Sequence, residues 1–262
     1  MPRRLIDISI PLTNDIVCDP PHMKPHIEYM DHQQTAGAMA EYMGVAVSDL
    51  PNGEYAAVEK VTLSSHNGTH LDAPFHYFSR MNESVVEGGE PSATIDEVPL
   101  EWCYNSAVKL DFRHFEDGYV ATPEDVQAEL KRIGHELAPL DIVLVNTAAG
   151  AHFGKDGFID KGCGVGNAAT IWLLDQGVRV TGTDGWSWDA PFSHTRDKIK
   201  AGGSPDLIWE GHRAGRHKGY CHLEKLWQLD QLPSTGFEVI CFPVKILAGS
   251  AGWTRAVAVL QD

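Results

Sequence analysis

A helix pattern between two strand patterns constrains the fold of this chain most strongly. The stretch DIVLVNT, residues 141–147, is apolar on both faces of a strand, as is typical of a central strand in a buried sheet. The stretch VGNAATIWLLDQGV predicts a helix that ends at Gly177, and VRVTGTD predicts the strand after it. Such a strand–helix–strand unit predicts an α/β protein.

Patterns on both sides of this unit predict further strands and helices. LIDISIPL predicts a first strand that Pro11 stops, while AAVEKVTLSS at 56–65 and SAVKLDF at 106–112 predict two more. TPEDVQAELKRIG predicts a helix that Thr122 caps and Gly134 ends. HLEKLWQLDQL predicts a short amphipathic helix, and FEVICFPVKIL and TRAVAVL predict two closing strands that could pair antiparallel.

The same patterns give the expected domain organisation. Residues 13–54 carry little periodicity and predict a loop-rich stretch of the kind that forms a lid or a pocket wall. Strands and helices otherwise mix without a boundary. We therefore expect one α/β domain over residues 1–262.

Composition and charge exclude several classes of protein. The net charge of −15 argues against a nucleic-acid partner, which would need a basic face for the phosphates. No apolar run reaches the roughly 20 residues that a membrane span requires. The N-terminus lacks a signal-peptide pattern, and the five scattered cysteines form no CxxC pair. We expect a cytoplasmic protein with reduced thiols.

The segment SSHNGTHLDAPFHYF, residues 64–78, concentrates potential metal ligands. It contains Gly68 and Pro74, which oppose a continuous helix, so a strand running into a tight loop is expected to bring its side chains together. Its donors are three imidazoles and one carboxylate, at His66, His70, Asp72 and His76. These donors suit Zn²⁺ or Mn²⁺ and disfavour Ca²⁺. A polar turn or a structural metal is the alternative, but nitrogen and oxygen ligands favour an open, catalytic site.

The stretch HNGTHLDAPFH resembles the HxGTHxDxPxH motif of the cyclase family of metal-dependent hydrolases, which includes bacterial kynurenine formamidases and isatin hydrolases. The stretches GTDGWSWDAPF, GHR followed by HLEKLWQLDQLP, and FPVKILAGSAGWTRAVAVL also look familial. The resemblance implies a mixed sheet with flanking helices, a swivelling β/β/α (cyclase-like) fold. It also implies a homo-oligomer, a homodimer or a homotetramer.

The resemblance further implies which residues bind one or two divalent ions per chain, Zn or Mn. It makes His66, His70 and Asp72 ligands, and gives His76 to a second metal or to a proton path. A downstream histidine and a glutamate twelve residues later, His212 and Glu224, would complete the second site. The nearby histidines at 217 and 222 remain rival candidates for that position.

The implied function is that of a metal-dependent amidohydrolase acting on non-peptide C–N bonds, linear or cyclic. Metal-activated water would cleave a small aromatic formamide or lactam, with His76, His212 or Glu224 transferring protons. The chain has no GxSxG elbow for a serine nucleophile. Phe75, Trp186 and Trp188 are candidates for contact with an aromatic substrate. The alternatives are a non-catalytic relative that binds metal and ligand, or a cyclase or dehydratase running the reverse reaction.

Overall fold

A computed structural model describes residues 3–261 of the chain. Its fifteen strands are β1 Arg3–Asp7, β2 His26–Met30, β3 Val58–Thr62, β4 His70–Asp72, β5 Arg80–Met81, β6 Glu90–Pro91, β7 Tyr104–Asp111, β8 Val120–Ala121, β9 Ile142–Asn146, β10 Gly164–Val165, β11 Val180–Thr183, β12 Cys221–Glu224, β13 Phe237–Ile240, β14 Ala251–Trp253 and β15 Val257–Gln261. Its six α-helices are α1 His32–Met43, α2 Pro74–Tyr77, α3 Pro123–Ile133, α4 Asn167–Asp175, α5 Phe192–Lys200 and α6 Ala214–His217. None of these helices is long and apolar enough to cross a membrane.

Nine strands form one mixed sheet, which confirms the predicted α/β class. Their order is β1-β15-β13-β7-β9-β11-β12-β4-β14. Strands β7, β9, β11 and β12 run parallel to their neighbours in this group, whereas the strands on either side pair antiparallel. Every residue of β9 is buried, as its apolar sequence predicts for a central strand. The parallel strands end at one edge of the sheet, where α/β proteins commonly place their ligands.

Two of the predicted helices cover the central strands, and the residues at their ends set where they begin and end. The side chain of Thr122 accepts the backbone N–H of Asp125 at the start of α3, and Gly134 adopts a left-handed conformation at its end. Helix α4 follows Gly166 and carries buried apolar residues against the same face. Val108, Val143 and Val145 of the sheet join both helices in one apolar cluster. The predicted strand–helix–strand unit is therefore confirmed as β9–α4–β11.

The predicted helix over residues 222–232 is wrong. The structure instead has the end of strand β12, a turn and a 3-10 turn at Leu229–Gln231, so Glu224 lies on a strand. The leucines at 223, 226, 229 and 232 caused the error, because a three-residue spacing is typical of one helix face. All four do enter a single apolar cluster, but they reach it from a strand and successive turns.

The stretch 13–54, predicted to be loop-rich, contains a twelve-residue helix. Helix α1 begins with a capping box in which Asp31 accepts backbone N–H groups and Gln34 returns a bond to the backbone of Asp31. Only Ala36 and Ala40 of the helix are buried, and both are small, so the apolar pattern in its sequence is weak. Strand β3, which the sequence does predict, pairs with β2 in a separate exposed ribbon.

Candidate metal centre

The pairing register of β4 and β12 brings four candidate ligands onto one face of the sheet. His222 lies opposite Asp72, and Glu224 lies opposite His70. Directly opposed residues of an antiparallel pair project from the same face, so the four side chains meet. The Nε2 atom of His222 lies 3.0 Å from Oδ2 of Asp72, and Nε2 of His70 lies 3.2 Å from Oδ1. All four residues are buried.

Three further histidines surround this group from outside the two strands. His66 lies in the loop before β4, with Nδ1 2.9 Å from Oδ1 of Asp72. His76 lies on α2, which Pro74 opens, with Nε2 3.9 Å from Oδ2 of Asp72. The ring of His212, just before α6, lies 4.6 Å from the ring of His222. His66 and His76 keep about a quarter or less of their side-chain surface exposed, so this side of the cluster faces solvent.

The donors form two overlapping groups. Asp72, His212, His222 and Glu224 can each offer one atom within 4.8 Å of the others. His66, Asp72 and His76 can do the same. Asp72 belongs to both groups, so the arrangement has room for one or two divalent ions.

The hydrogen bonding of the cluster fits a bound metal. Among the described residues, neither oxygen of Asp72 nor Nε2 of His222 has a hydrogen-bond partner, although all three atoms are buried. Buried polar atoms are nearly always satisfied, so such a group indicates a missing partner. Nitrogen and carboxylate lone pairs that converge on one point satisfy the requirements of Zn²⁺ or Mn²⁺.

The other ring nitrogens of the histidines are held by nearby protein groups. Nδ1 of His70 lies 2.9 Å from the carbonyl oxygen of Gly68, and Nδ1 of His212 contacts the carboxylate of Asp189. The remaining two contacts join Nδ1 of His222 to the hydroxyl of Tyr220 at 3.3 Å, and Nε2 of His66 to the hydroxyl of Ser250 at 3.0 Å. Such partners fix the ring orientation and leave the other nitrogen for a metal.

Charge pairing outweighs burial at the centre of the cluster. Burial would raise the pKa of Asp72, but the surrounding imidazoles, first those of His70 and His76 and then those of His222 and His66, hold it well below its usual range. Burial would likewise raise the pKa of Glu224, yet the neighbouring His222 lowers it to about 2. Burial would lower the pKa of His222, whereas Asp72 and Glu224 raise it to about 9. In the protein without metal, a proton on His222 therefore compensates the two carboxylates.

The sequence model of a family described as "Putative cyclase" matches residues 6–190. The chain belongs to the cyclase family. The match covers the whole of the histidine segment and includes Asp189, the partner of His212.

Three proteins are similar to this cyclase-family chain in sequence or in fold. The kynurenine formamidase of Erythrobacter litoralis (strain HTCC2594) is 25% identical over 215 residues, 79% of each protein. An isatin hydrolase solved with the product analogue thioisatinate superposes with a TM-score of 0.73 at 19% identity, covering 99% of this chain and 93% of that one. Isatin hydrolase A from Labrenzia aggregata, solved with benzyl benzoate, gives 0.71 at 23% identity, with 99% and 94% covered. These structures show that the chain has the cyclase-like fold.

The structure separates the two rival histidines of the cyclase-family chain. His222 joins the cluster, whereas Nε2 of His217 lies 3.5 Å from Asp175 at the surface. His222 and Glu224 are two residues apart, a spacing that puts side chains on one face of a strand. Because this stretch was predicted to be a helix, the two-residue spacing was not interpreted as the spacing of a strand.

The aromatic side chains predicted to contact a substrate occupy three different environments. Trp188 is fully buried, with its ring 6.1 Å from that of His222, so it packs behind the cluster. Trp186 is half-buried against Phe192 and lies beneath the ammonium of Lys225. Phe75 is 45% exposed, and its contact with a substrate stays a prediction.

A tryptophan that sequence reasoning missed lies beside the donors. The ring of Trp209 stacks on that of His212 at 4.8 Å with an interplanar angle of 8°, and lies 5.3 Å from that of His76. It also lines an apolar cavity of about 460 Å³. Trp209 has no ligand-like spacing in the sequence, so only the fold shows its place.

Proposed function

We propose that this cyclase-family chain is a metal-dependent hydrolase that cleaves the C–N bond of a small aromatic amide, either a formamide or a lactam. The observation that carries the proposal is the buried, convergent donor set around Asp72, in which three atoms have no hydrogen-bond partner within residues 3–261. The kynurenine formamidase relative and the isatin hydrolase structures support C–N bond hydrolysis as the reaction class.

The proposed ligands are the residues that the geometry brings together around Asp72: His66, His70, His76, His212, His222 and Glu224. A divalent ion held there, Zn²⁺ or Mn²⁺, would supply an activated water and polarise the amide carbonyl. The contacts of the imidazoles with Gly68, Asp189, Tyr220 and Ser250 hold the rings in place for that ion.

The partly exposed histidines give the proposed enzyme its proton-transfer group. The amine of an amide is a poor leaving group and needs a proton as the C–N bond breaks. His76 is at the solvent side of the cluster, next to Trp209 and His66, where a substrate can approach. Where two ions bind, His76 is a ligand of the second; where only one ion binds, we assign to its imidazole the transfer of a proton from water to the leaving nitrogen. A protein that merely binds a metal has no need for such a group, which favours the enzyme over a binding relative.

Metal analysis combined with a hydrolysis assay tests this function. Protein purified without chelator is expected to contain one or two Zn or Mn ions per chain and to hydrolyse N-formylkynurenine or isatin. Asp72→Asn is expected to lose metal and turnover, while Asp197→Asn, at a surface carboxylate 66% exposed, keeps both. Full metal content in Asp72→Asn contradicts the ligand assignment. Metal without turnover of any aryl formamide or lactam contradicts the reaction.

A further inference from the structure

His66 is a partly exposed donor that no strand positions. His70 and Asp72 lie on β4, and His222 and Glu224 lie on β12, so the sheet fixes all four backbones. His66 lies in the loop between β3 and β4. Its backbone must therefore be held by something other than the sheet.

A buried ion pair contacts that loop directly. Nζ of Lys225 lies 2.5 Å from Oδ1 of Asp19 and donates to the carbonyl oxygen of His66 at 2.8 Å. The other oxygen of Asp19 accepts from Nδ2 of Asn67 at 3.0 Å and from the backbone N–H of Gly68 at 3.5 Å. One ion pair thus bonds to three consecutive residues of the loop. Lys225 is 1% exposed and Asp19 is 4% exposed, so water does not compete for these bonds.

The backbone of Lys225 supports the same loop from a second side. Its carbonyl oxygen accepts the hydroxyl of Thr69 at 2.7 Å. Lys225 directly follows Glu224 and has a φ of 56°, in the left-handed region that side chains other than glycine seldom adopt. This turn places the Lys225 ammonium against the loop, directly after a residue whose carboxylate faces the metal cluster.

Stability alone is a weak reason for such an arrangement. A buried ion pair often stabilises a protein no more than apolar residues of similar size, because both charges lose their hydration. A lysine in the left-handed region also adds backbone strain. Strain of this kind is typical of sites where the surrounding structure imposes a geometry.

We propose that Asp19 and Lys225 are positioning residues that hold His66 in place for the metal, a role that rests on the metal-dependent function proposed above. The pair ties three separated parts of the chain together: the segment at residue 19, the loop 66–68 and the end of β12. It supplies for His66 the fixed geometry that β4 and β12 supply for the four donors on the strands.

Metal affinity of the full-length protein, stripped and then titrated with Zn²⁺ against a chromophoric chelator, tests the proposal. Lys225→Met and Asp19→Asn are each expected to weaken Zn²⁺ binding by about 10- to 100-fold, as is typical when a group that orients a ligand is removed. Each single change also leaves one buried charge unpaired, which lowers the melting temperature. The double variant Asp19→Asn/Lys225→Met removes both charges, so it is expected to regain stability without regaining affinity.

A second buried lysine provides the matched control. Lys109 on β7 is 6% exposed and donates to the carbonyl oxygens of Leu229 and Leu232, away from the donors. Lys109→Met is expected to lower the melting temperature and leave Zn²⁺ affinity unchanged. Asn67→Ala keeps the ion pair but removes one of its bonds to the loop, and is expected to weaken binding by an intermediate factor.

The outcomes separate this inference from the proposed function. Wild-type Zn²⁺ affinity in the double variant overturns the inference, and so does an equal loss of affinity in Lys109→Met. If the double variant does not fold, Asn67→Ala decides, and unchanged affinity there overturns the inference. A wild-type protein that binds no Zn²⁺ contradicts the proposed function itself.

Discussion

The protein without metal is predicted to lose stability as the pH rises from about 6.5 to about 9. Burial opposes a charge on His222, but Asp72 and Glu224 raise its pKa from 6.5 to about 9. A raised folded-state pKa contributes stability that is fully present below the unfolded value and is lost as the pH rises through the folded value. A pKa difference of about 2.5 units at about 1.4 kcal/mol each gives a loss of about 3.5 kcal/mol.

Metal loading is predicted to remove this dependence. A metal ion at Nε2 of His222 displaces the proton, so the loaded protein has none to lose over this range. The depressed pKa values of Asp72 and Glu224 affect stability only at acid pH, as it falls below their ordinary values of 3.8 and 4.5.

Urea unfolding of stripped and loaded protein at pH 6, pH 7.5 and pH 9 measures the effect. His222→Gln is the control, because its stripped form has no imidazole at this position to titrate. Equal pH profiles for the stripped and loaded wild-type proteins refute the reasoning. A stripped protein whose stability rises with pH over this range refutes it as well.

Three substitutions test other parts of the site. Glu224→Gln keeps an acceptor for the backbone N–H of Trp188 but removes the charge, so metal content is expected to fall toward one ion per chain; elemental analysis that finds two argues against a second site. Asp189→Asn weakens the hold on Nδ1 of His212 and is expected to reduce metal affinity by about 10- to 100-fold in chelator competition, whereas unchanged affinity means His212 needs no such support. Trp209→Ala removes the ring beside the donors and is expected to raise KM for an aryl amide by about two- to tenfold in steady-state assays, with metal content constant; an unaltered KM excludes Trp209 from substrate contact.

Local sequence chemistry predicted the elements that have clear end signals. Helix α3 begins after Thr122 and ends before Gly134 as predicted, because the cap and the left-handed glycine act within a few residues. Strand β9 is central as predicted, because an apolar run of this length has to be buried on both faces. Helix α1 was not predicted, since it is mostly exposed and its buried residues are two alanines, which give only a weak apolar pattern.

The spacing of residues along the sequence predicted only part of the candidate site. The segment 66–76 was identified from residue types alone, and the structure brings its three histidines and Asp72 together. The place of His222 depends on the antiparallel register of β12 with β4, which joins residues about 150 positions apart. The contacts of Asp19 and Lys225 with the loop 66–68 likewise join residues that lie far apart in the sequence. Long-range pairing of this kind leaves no periodic trace in the sequence.

Metal content and turnover of one preparation test the central claim most directly. Protein purified without chelator is predicted to carry stoichiometric Zn or Mn and to hydrolyse N-formylkynurenine or isatin, to lose both after chelation, and to regain both when the ion is returned. Protein that contains no metal at neutral pH, and takes up none when Zn²⁺ or Mn²⁺ is added, would contradict the proposal that this chain is a metal-dependent hydrolase.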